Sequence, residues 1–413
     1  MKQKLVVIGA GMASGRVLDH VLAAAPDQFY VTLFNAESRG NYNRIMLSSV
    51  LAGDKTYAQI VTHDADWYAR QGVNCRFGET VVRIDRTNKL VHSNAGSVPY
   101  DKLLIATGSA PFIIPVAGKN LPGVCTYRDL DDTEKMIAAA KSGGKAVVIG
   151  GGLLGLEAAA GMQQRGMDVT VIHIMGHLME RQLDPAAGYL LQKTLEARGI
   201  TIHCKGATKA ILGTDRVEAV ALEDGTIYGA DLVCMAVGIR PEVRLANDAH
   251  LDVGRGITVS DQMVTSDPDI LAVGECVEHD KQLFGLVAPL YDQARIVAAT
   301  LLAVPAAFRP VQTATKLKVT GCDLFSVGDF ADGPDREDIV FRDPGRGIYK
   351  RLVIAGDRLI GAVLYGDTVD GNWFFGLIKD ATPVDAMRDT LIFGPAFQGG
   401  PGGPYGGRCS LAA

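Results

Sequence analysis

One pattern occurs twice in this chain, and it limits the fold more than any other feature. Residues 4–8 form a short apolar run, followed by Gly9-Ala10-Gly11-Met12-Ala13-Ser14-Gly15 and a helical pattern to about Ala25. Residues 145–149 repeat the run, followed by Gly150-Gly151-Gly152-Leu153-Leu154-Gly155 and a helical stretch to about Arg165. A second strand follows each copy, at residues 30–34 and 168–173. Both copies read as βαβ units with a glycine-rich first turn. In such a turn the first glycine permits the bend. The second lets backbone approach a pyrophosphate, and the third lets helix pack on strand. The helix N-terminus then offers free N–H groups and a positive dipole end to phosphate. The second copy matches in full. In the first, Ser14 holds the third place and Gly15 comes one later.

The acidic residue expected near the second strand separates the copies. Glu37 lies at the tip of the first unit's strand, at a distance suited to a ribose hydroxyl. The second unit has His173 at the corresponding position and no carboxylate before Glu180; Arg181 is the nearby cation. NADH and NADPH both stay open. Two dinucleotide folds in one chain imply two dinucleotides, a tightly held flavin and a diffusible nicotinamide.

Composition narrows the partners. The 413 residues carry 41 basic and 46 acidic side chains, a net charge of −5, which disfavours nucleic acid. No apolar run reaches membrane-span length, so the expectation is a cytoplasmic protein with no membrane partner. Seven cysteines are scattered without a CxxC pair. That argues against a disulfide framework, a zinc site and a cysteine-held cluster.

Three further segments carry a family resemblance. They are Lys-Leu-Leu-Ile-Ala-Thr-Gly at 102–108, Leu-Val-Cys-Met-Ala-Val-Gly-Ile-Arg-Pro at 232–241 and Ile-Leu-Ala-Val-Gly-Glu at 270–275. With the doubled turn, they resemble the two-dinucleotide flavoproteins that include glutathione reductase, rubredoxin reductase and the ferredoxin reductases. A closer likeness lies in Tyr-Asn-Arg-Ile-Met-Leu-Ser-Ser at 42–49, Leu-Ala-Gly at 51–53, Leu-Met-Glu-Arg-Gln-Leu-Asp at 178–184 and Gly274-Glu275-Cys276. These look like the flavoprotein part of NAD(P)H-dependent assimilatory nitrite reductase large subunits and the electron-transfer subunit of assimilatory nitrate reductase. Residues 315–330 extend the likeness toward the C-terminus.

The resemblance implies an α/β fold. Two Rossmann-like domains would bind FAD (1–111 with 243–305) and NAD(P) (112–242). A small α+β C-terminal domain (306–393, starting near Val311) and a Gly/Pro-rich tail (394–413) would follow. It implies Gly9, Gly11 and Ala13 on the flavin pyrophosphate, with Met12 also cofactor-binding, Glu37 on its ribose and Glu275 on the ribityl chain, where the family usually has Asp. Arg44 places a cation near the flavin or is a surface ion-pair arginine. Val82, Ala106, Thr107, Gly108, Arg128 and Gly274 are further cofactor-binding residues. Gly150, Gly152, Leu153, Leu154, Gly155, His173 and Gly238 form the nicotinamide set. Glu157 lies near the nicotinamide or is a helix-start carboxylate favoured by the dipole.

No catalytic triad and no metal are expected, because the cofactors carry the chemistry. The stretch 42–49 holds no cysteine, so thiol-based disulfide and peroxide chemistry is rejected. His63, His173 and His279 are read as solvated or packed. Residues 348–354 and 358–364 alternate about Gly356-Asp357, a β-hairpin. Trp373, Phe374, Phe375 and Leu377 read as core, with an acceptor-docking surface as the minority reading. The four clustered cysteines of a cubane cluster are missing. The expected function is transfer of electrons from NAD(P)H through FAD to a separate redox protein with iron–sulfur, sirohaem or molybdenum centres, in nitrite or nitrate assimilation. The alternatives are a rubredoxin or ferredoxin reductase of an oxygenase system and a non-catalytic NAD(H)-sensing flavoprotein.

Overall fold

The computed structural model describes residues 2–310, 314–317 and 322–397. Val311, residues 318–321 and most of the Gly/Pro-rich tail with Cys409 lie outside the described residues. The chain packs as two compact units. The first comprises Met1–Phe112, Arg128–Thr133 and Gly238–Val311; the second comprises Ile113–Tyr127, Glu134–Val237 and Gln312–Ala413. Arg128–Thr133 packs with the first unit, although the expected boundaries place it in the nicotinamide domain. The C-terminal stretch packs with the second unit.

The first unit is built on a parallel five-stranded sheet. Its order is Ile270–Ala272, Lys102–Ile105, Gln3–Ile8, Phe29–Asn35 and Asn74–Phe77. Leu5, Val7, Leu33, Leu103, Leu104 and Ile105 are completely buried. Both faces of a parallel sheet are covered, so these strands read as unbroken apolar runs rather than alternating ones. Helices Met12–Ala24 and Val287–Leu301 pack against each other, and Val17, Leu18, Val21, Ala294 and Val297 are buried in the same core. The antiparallel strands Val81–Asp85, Leu90–Ser93 and Ser97–Pro99 form a small separate sheet.

The second unit repeats the plan. Its parallel order is Ile200–Cys204, Asp168–His173, Lys145–Ile149, Leu232–Met235 and Val124–Thr126. In both units the glycine turn leaves the central strand, where the chain has built outward in both directions. That reversal opens a crevice at the carboxyl ends of the strands.

The C-terminal segment forms an antiparallel sheet, ordered Thr315–Leu317, Leu324–Gly328, Arg358–Tyr365, Ile348–Ala355 and Glu337–Asp343. The hairpin expected about Gly356 is present. Helix Gly371–Lys379 lays Phe374 and Leu377 into a cluster with Phe325, Leu352 and Leu364, with Trp373 and Phe375 packed at its margin. These aromatics are therefore core.

Polar groups join this sheet to the nucleotide-domain half of the same unit. Asp184 caps helix Pro185–Glu196 by accepting from Ala187 N at 3.0 Å. The same carboxylate accepts from the Tyr349 hydroxyl and lies 3.5 Å from Arg351 Nη1. Arg351, 7% exposed, also pairs with Asp332 and Asp338. Burial first, then the Asp184 carboxylate, pushes the Tyr349 phenol well above its usual range. Asp184→Ala removes a helix cap and leaves a buried phenol without its acceptor. It should destabilise the protein by about 2–4 kcal/mol, read as a lower urea midpoint.

Candidate functional site

Two turns with the same backbone plan define the candidate sites. Gly9 and Gly150 sit at φ +105° and +122°. A Cβ on Gly9 would lie 2.3 Å from Ala106 O, and one on Gly150 would lie 2.2 Å from Ala236 O. Any side chain there collides with the neighbouring strand's backbone, so both positions demand glycine. Gly11 and Gly152 are different. Each caps its helix in an extended conformation (φ −82° and −84°), and a Cβ there would meet nothing within 4 Å. Their protein surroundings permit a side chain. Glycine there suits something that must approach the backbone from outside, as a phosphate does.

The third position shows how the first copy departs from the pattern. A Cβ on Gly155 would lie 2.0 Å from Gly150 O, so helix and turn are pressed together. In the first copy, Ser14 is fully buried and its hydroxyl donates to Gly9 O at 2.6 Å. The serine turns a tight approach into a hydrogen bond. Gly15, one residue later, makes room for a neighbour: its Cβ would lie 2.4 Å from Asn41 Nδ2. Asn41, 2% exposed, donates to Gly11 O and to Ala10 O, and takes the Thr62 hydroxyl on its other atom. This carboxamide clamps the turn, and the sequence reading missed it. The displaced glycine was its one trace. His63 packs alongside, on Trp67 and bonded to Asp19.

The expected flavin-side residues converge in the first unit. Gly274 lies against Ala13, whose Cβ is 3.4 Å from the position a Gly274 Cβ would take. Glu275 pairs with Arg128 and accepts from Ser109 Oγ at 2.8 Å. Gly108 faces both Arg128 and Glu275. Thr107 donates through its hydroxyl to Glu242 O at 2.8 Å. Glu37 pairs with Arg44 and accepts from the Tyr42 hydroxyl at 2.8 Å. Arg44 also donates to Arg128 O at 3.3 Å. Burial opposes the Arg44 charge, but Tyr42 and Glu37 outweigh it and raise the guanidinium pKa. Arg44 is thus tied into the site at 25% side-chain exposure, not a loose surface cation. Met12 opens the helix, and Val82 stands 45% exposed on its strand.

In the second unit, Leu153 starts the helix, Leu154 is 40% exposed, and Glu157 lies on its first turns. Tyr127, 5% exposed with no partner for its hydroxyl among the described residues, was not anticipated. Burial, and then the Glu157 charge, drive its phenol pKa up. Gly238 packs with the first unit, its carbonyl accepting from Phe112 N at 2.9 Å.

His173 needs a correction. Gly9 N bonds to Phe34 O and Gly150 N to Ile172 O, so His173 matches Asn35 rather than Glu37. The equivalence extends to their contacts. Ala10 N reaches Asn35 Oδ1 at 3.5 Å, and Gly151 N reaches His173 Nδ1 at 3.0 Å. Met175 takes the place of Glu37. Counting from the strand end misplaced the pairing by two residues, because the apolar run does not reveal where the ladder stops.

Cysteines 75, 125, 204, 234, 276 and 322 form no disulfide among the described residues. Cys276, next to Glu275, is fully buried and its thiol donates to Val273 O at 3.2 Å. Burial raises its pKa, and it pushes Cys75 up to about 11. Neither is a thiolate near neutral pH. Asp261, His279 and Asp280 cluster closely enough to consider a metal, but Asp261 already pairs with His279 and Arg309. Among the described residues, no helix is long and apolar enough to cross a membrane.

These paired sites define a two-dinucleotide oxidoreductase. The comparisons agree. The model of the pyridine nucleotide-disulphide oxidoreductase family matches residues 3–298, and that of the rubredoxin NAD+ reductase C-terminal domain matches residues 314–382. The chain belongs to the pyridine nucleotide-disulphide oxidoreductase family. It is an NAD(P)H oxidoreductase, and its cofactors are FAD and NAD(P)H. It is 45% identical over 401 residues to nitrite reductase [NAD(P)H] of Bacillus subtilis (strain 168), covering 96% of this chain and 50% of that protein. It is 38% identical to the assimilatory nitrate reductase electron transfer subunit of the same strain, covering 97% and 53%. The chain spans about half the length of these curated relatives. Among solved structures it resembles NADH:rubredoxin oxidoreductase from Clostridium acetobutylicum, with TM-score 0.80, 26% identity and coverage of 95% and 99%.

The open space at Gly11 and Gly152 yields a prediction. Gly11→Val should cost about 1 kcal/mol of helix capping, with no clash at its Cβ, yet abolish FAD retention. Gly152→Val should keep FAD and raise KM for the nicotinamide nucleotide. Flavin absorbance after gel filtration and steady-state dye reduction distinguish the two.

Proposed function

We propose that this chain passes electrons from NAD(P)H, through FAD, to a separate redox protein with iron–sulfur, sirohaem or molybdenum centres, in cytoplasmic nitrite or nitrate assimilation. The observation that carries the reading is the pair of open positions at Gly11 and Gly152, where a Cβ would meet nothing within 4 Å, each at a helix start and each in its own unit. The likeness to nitrite reductase and to the nitrate reductase electron transfer subunit supports the acceptor class. FAD, when bound, accepts two electrons as hydride and releases them singly.

In this reading, residues 1–111 with 243–305 hold FAD, 112–242 hold NAD(P)H, and 306–393 form a C-terminal domain. Gly9, Gly11, Met12 and Ala13 present amides to the flavin pyrophosphate. Asn41 and Ser14 keep that turn rigid through their carbonyl contacts. Glu37, oriented by Arg44 and Tyr42, accepts ribose hydroxyls. Arg128 and Ser109 hold Glu275 toward the ribityl chain, while residues 106–108, Val82 and Gly274 line the same cleft. In the second unit Gly150, Gly152, Leu153, Leu154 and Gly155 cradle the nicotinamide dinucleotide, with Glu157 and His173 around it. Cys276, beside Glu275, is fully buried and burial raises its thiol pKa, which fits electron transfer and not disulfide exchange.

A second reading, a rubredoxin or ferredoxin reductase, is favoured by the C-terminal domain match at 314–382 and by the rubredoxin oxidoreductase likeness. Reconstitution tests both. The chain alone with NADH and nitrite should form no ammonium. Adding a separately purified sirohaem or molybdenum partner should produce NADH-dependent turnover. Sustained ammonium formation by the chain alone, or turnover with rubredoxin and with neither assimilatory partner, would overturn the first reading. Alkylation at pH 7 should leave dye reduction largely intact, because burial holds the Cys75 thiol up to about 11 and Cys276 is enclosed.

A further inference from the structure

In a dinucleotide-binding unit, the adenosine ribose lies at the carboxyl end of the second strand. An acidic side chain there takes a free 2′-hydroxyl, and a basic one accommodates a 2′-phosphate. Strand Asp168–His173 of the second unit supplies neither directly. Ile174 and Met175 follow it, 67% and 46% exposed, and Met175 stands where the first unit has Glu37.

A carboxylate reaches the same strand end from further along the chain. Residues 178–183 fold back over the glycine turn. Met179 N donates to Gly151 O at 3.0 Å, and Met179 adopts φ +53° to do so. The Leu178 side chain fills the space beside Gly151, where a Cβ would lie 2.6 Å from Leu178 Cδ2. This fold brings Glu180 Oε2 to 3.0 Å from His173 Nε2. His173 accepts from Gly151 N through Nδ1, which puts the ring proton on Nε2, facing Glu180. One imidazole, 6% exposed, therefore ties the middle amide of the turn to the carboxylate. The far end of the segment is fixed too, because Asp184 is held by Tyr349 and Arg351.

Three basic groups share the neighbourhood. His177 is committed to Leu183 O at 3.1 Å. Arg181 and Lys205 are exposed. Ordering a long exposed cation on a phosphate costs rotamer entropy that a carboxylate already in place does not pay. A fixed negative charge also repels a phosphate directly.

We propose that Glu180, positioned by His173, selects a nicotinamide dinucleotide with a free 2′-hydroxyl and rejects the 2′-phosphorylated one. The proposal rests on reading the second unit as the NAD(P)H site and names the substrate of that site as NADH.

The test compares the two nucleotides on the FAD-loaded protein. Dye reduction gives kcat/KM for NADH and NADPH. Calorimetry with 5′-ADP and with adenosine 2′,5′-bisphosphate reads the same preference without turnover. Wild-type protein should favour NADH by at least about tenfold, with the bisphosphate binding more weakly than 5′-ADP. Glu180→Gln should narrow the ratio by about tenfold, through a lower KM for NADPH, and tighten the bisphosphate. His173→Ala should raise KM for NADH at unchanged kcat and flavin content, and His173→Gln, which restores a donor, should recover part of the loss. Arg181→Gln should leave the ratio as it was. Equal use of both nucleotides by the wild type, or an unchanged ratio in Glu180→Gln, overturns the proposal. Bleaching of the flavin by either nucleotide keeps the wider reading whichever way the ratio falls. Failure of both to bleach it removes that reading.

Discussion

A carbonyl pressed against a glycine Cα is the contact on which both sites depend. Ala106 O meets Gly9 and Ala236 O meets Gly150 at distances that exclude any Cβ. Each contact joins the central strand to its neighbour at the point where the chain bends into a helix. The bend aims the helix N-terminus along the crevice at the strands' carboxyl ends, and the next glycine leaves that approach open. Everything else in each unit arranges itself around this corner. The buried parallel sheet holds the strand rigid, and loop side chains hold the turn.

The two copies solve the same local problem with different side chains. The middle amide of the turn is taken by Asn35 in one and by His173 in the other. The helix-packing position is Ser14, whose hydroxyl donates to Gly9 O, in one, and Gly155 against bare backbone in the other. The first unit adds Asn41 across the turn carbonyls. The second lays residues 178–183 over the turn and anchors their end through Asp184.

The C-terminal sheet has a structural tie to this second turn. Tyr349 and Arg351 hold Asp184, Asp184 caps helix Pro185–Glu196, and the residues before it carry Glu180. Arg351 is nearly buried among three carboxylates, and losing one partner strands charge or a hydroxyl. Domain packing and nucleotide-site geometry therefore share residues.

Patterns set by neighbours in the chain were readable in advance. The apolar runs before Gly9 and Gly150 are buried strands, the doubled motif is two βαβ units, and the alternation about Gly356 is a hairpin. In each case backbone conformation and burial follow from a few adjacent residues. The family likeness was likewise carried by local strings such as residues 42–49. What neighbouring residues do not encode is which distant side chain meets which. Asn41 on the Gly11 carbonyl, Arg128 on Glu275 and Glu180 on His173 are separated by 30, 147 and 7 residues. The pairing of His173 with Asn35 depended on ladder register, which the alternation of a fully buried parallel strand cannot report. Such contacts exist only once sheets, helices and returning loops have closed around a shared corner, because hydrogen bonds and ion pairs depend on distance in space and carry no mark in sequence order.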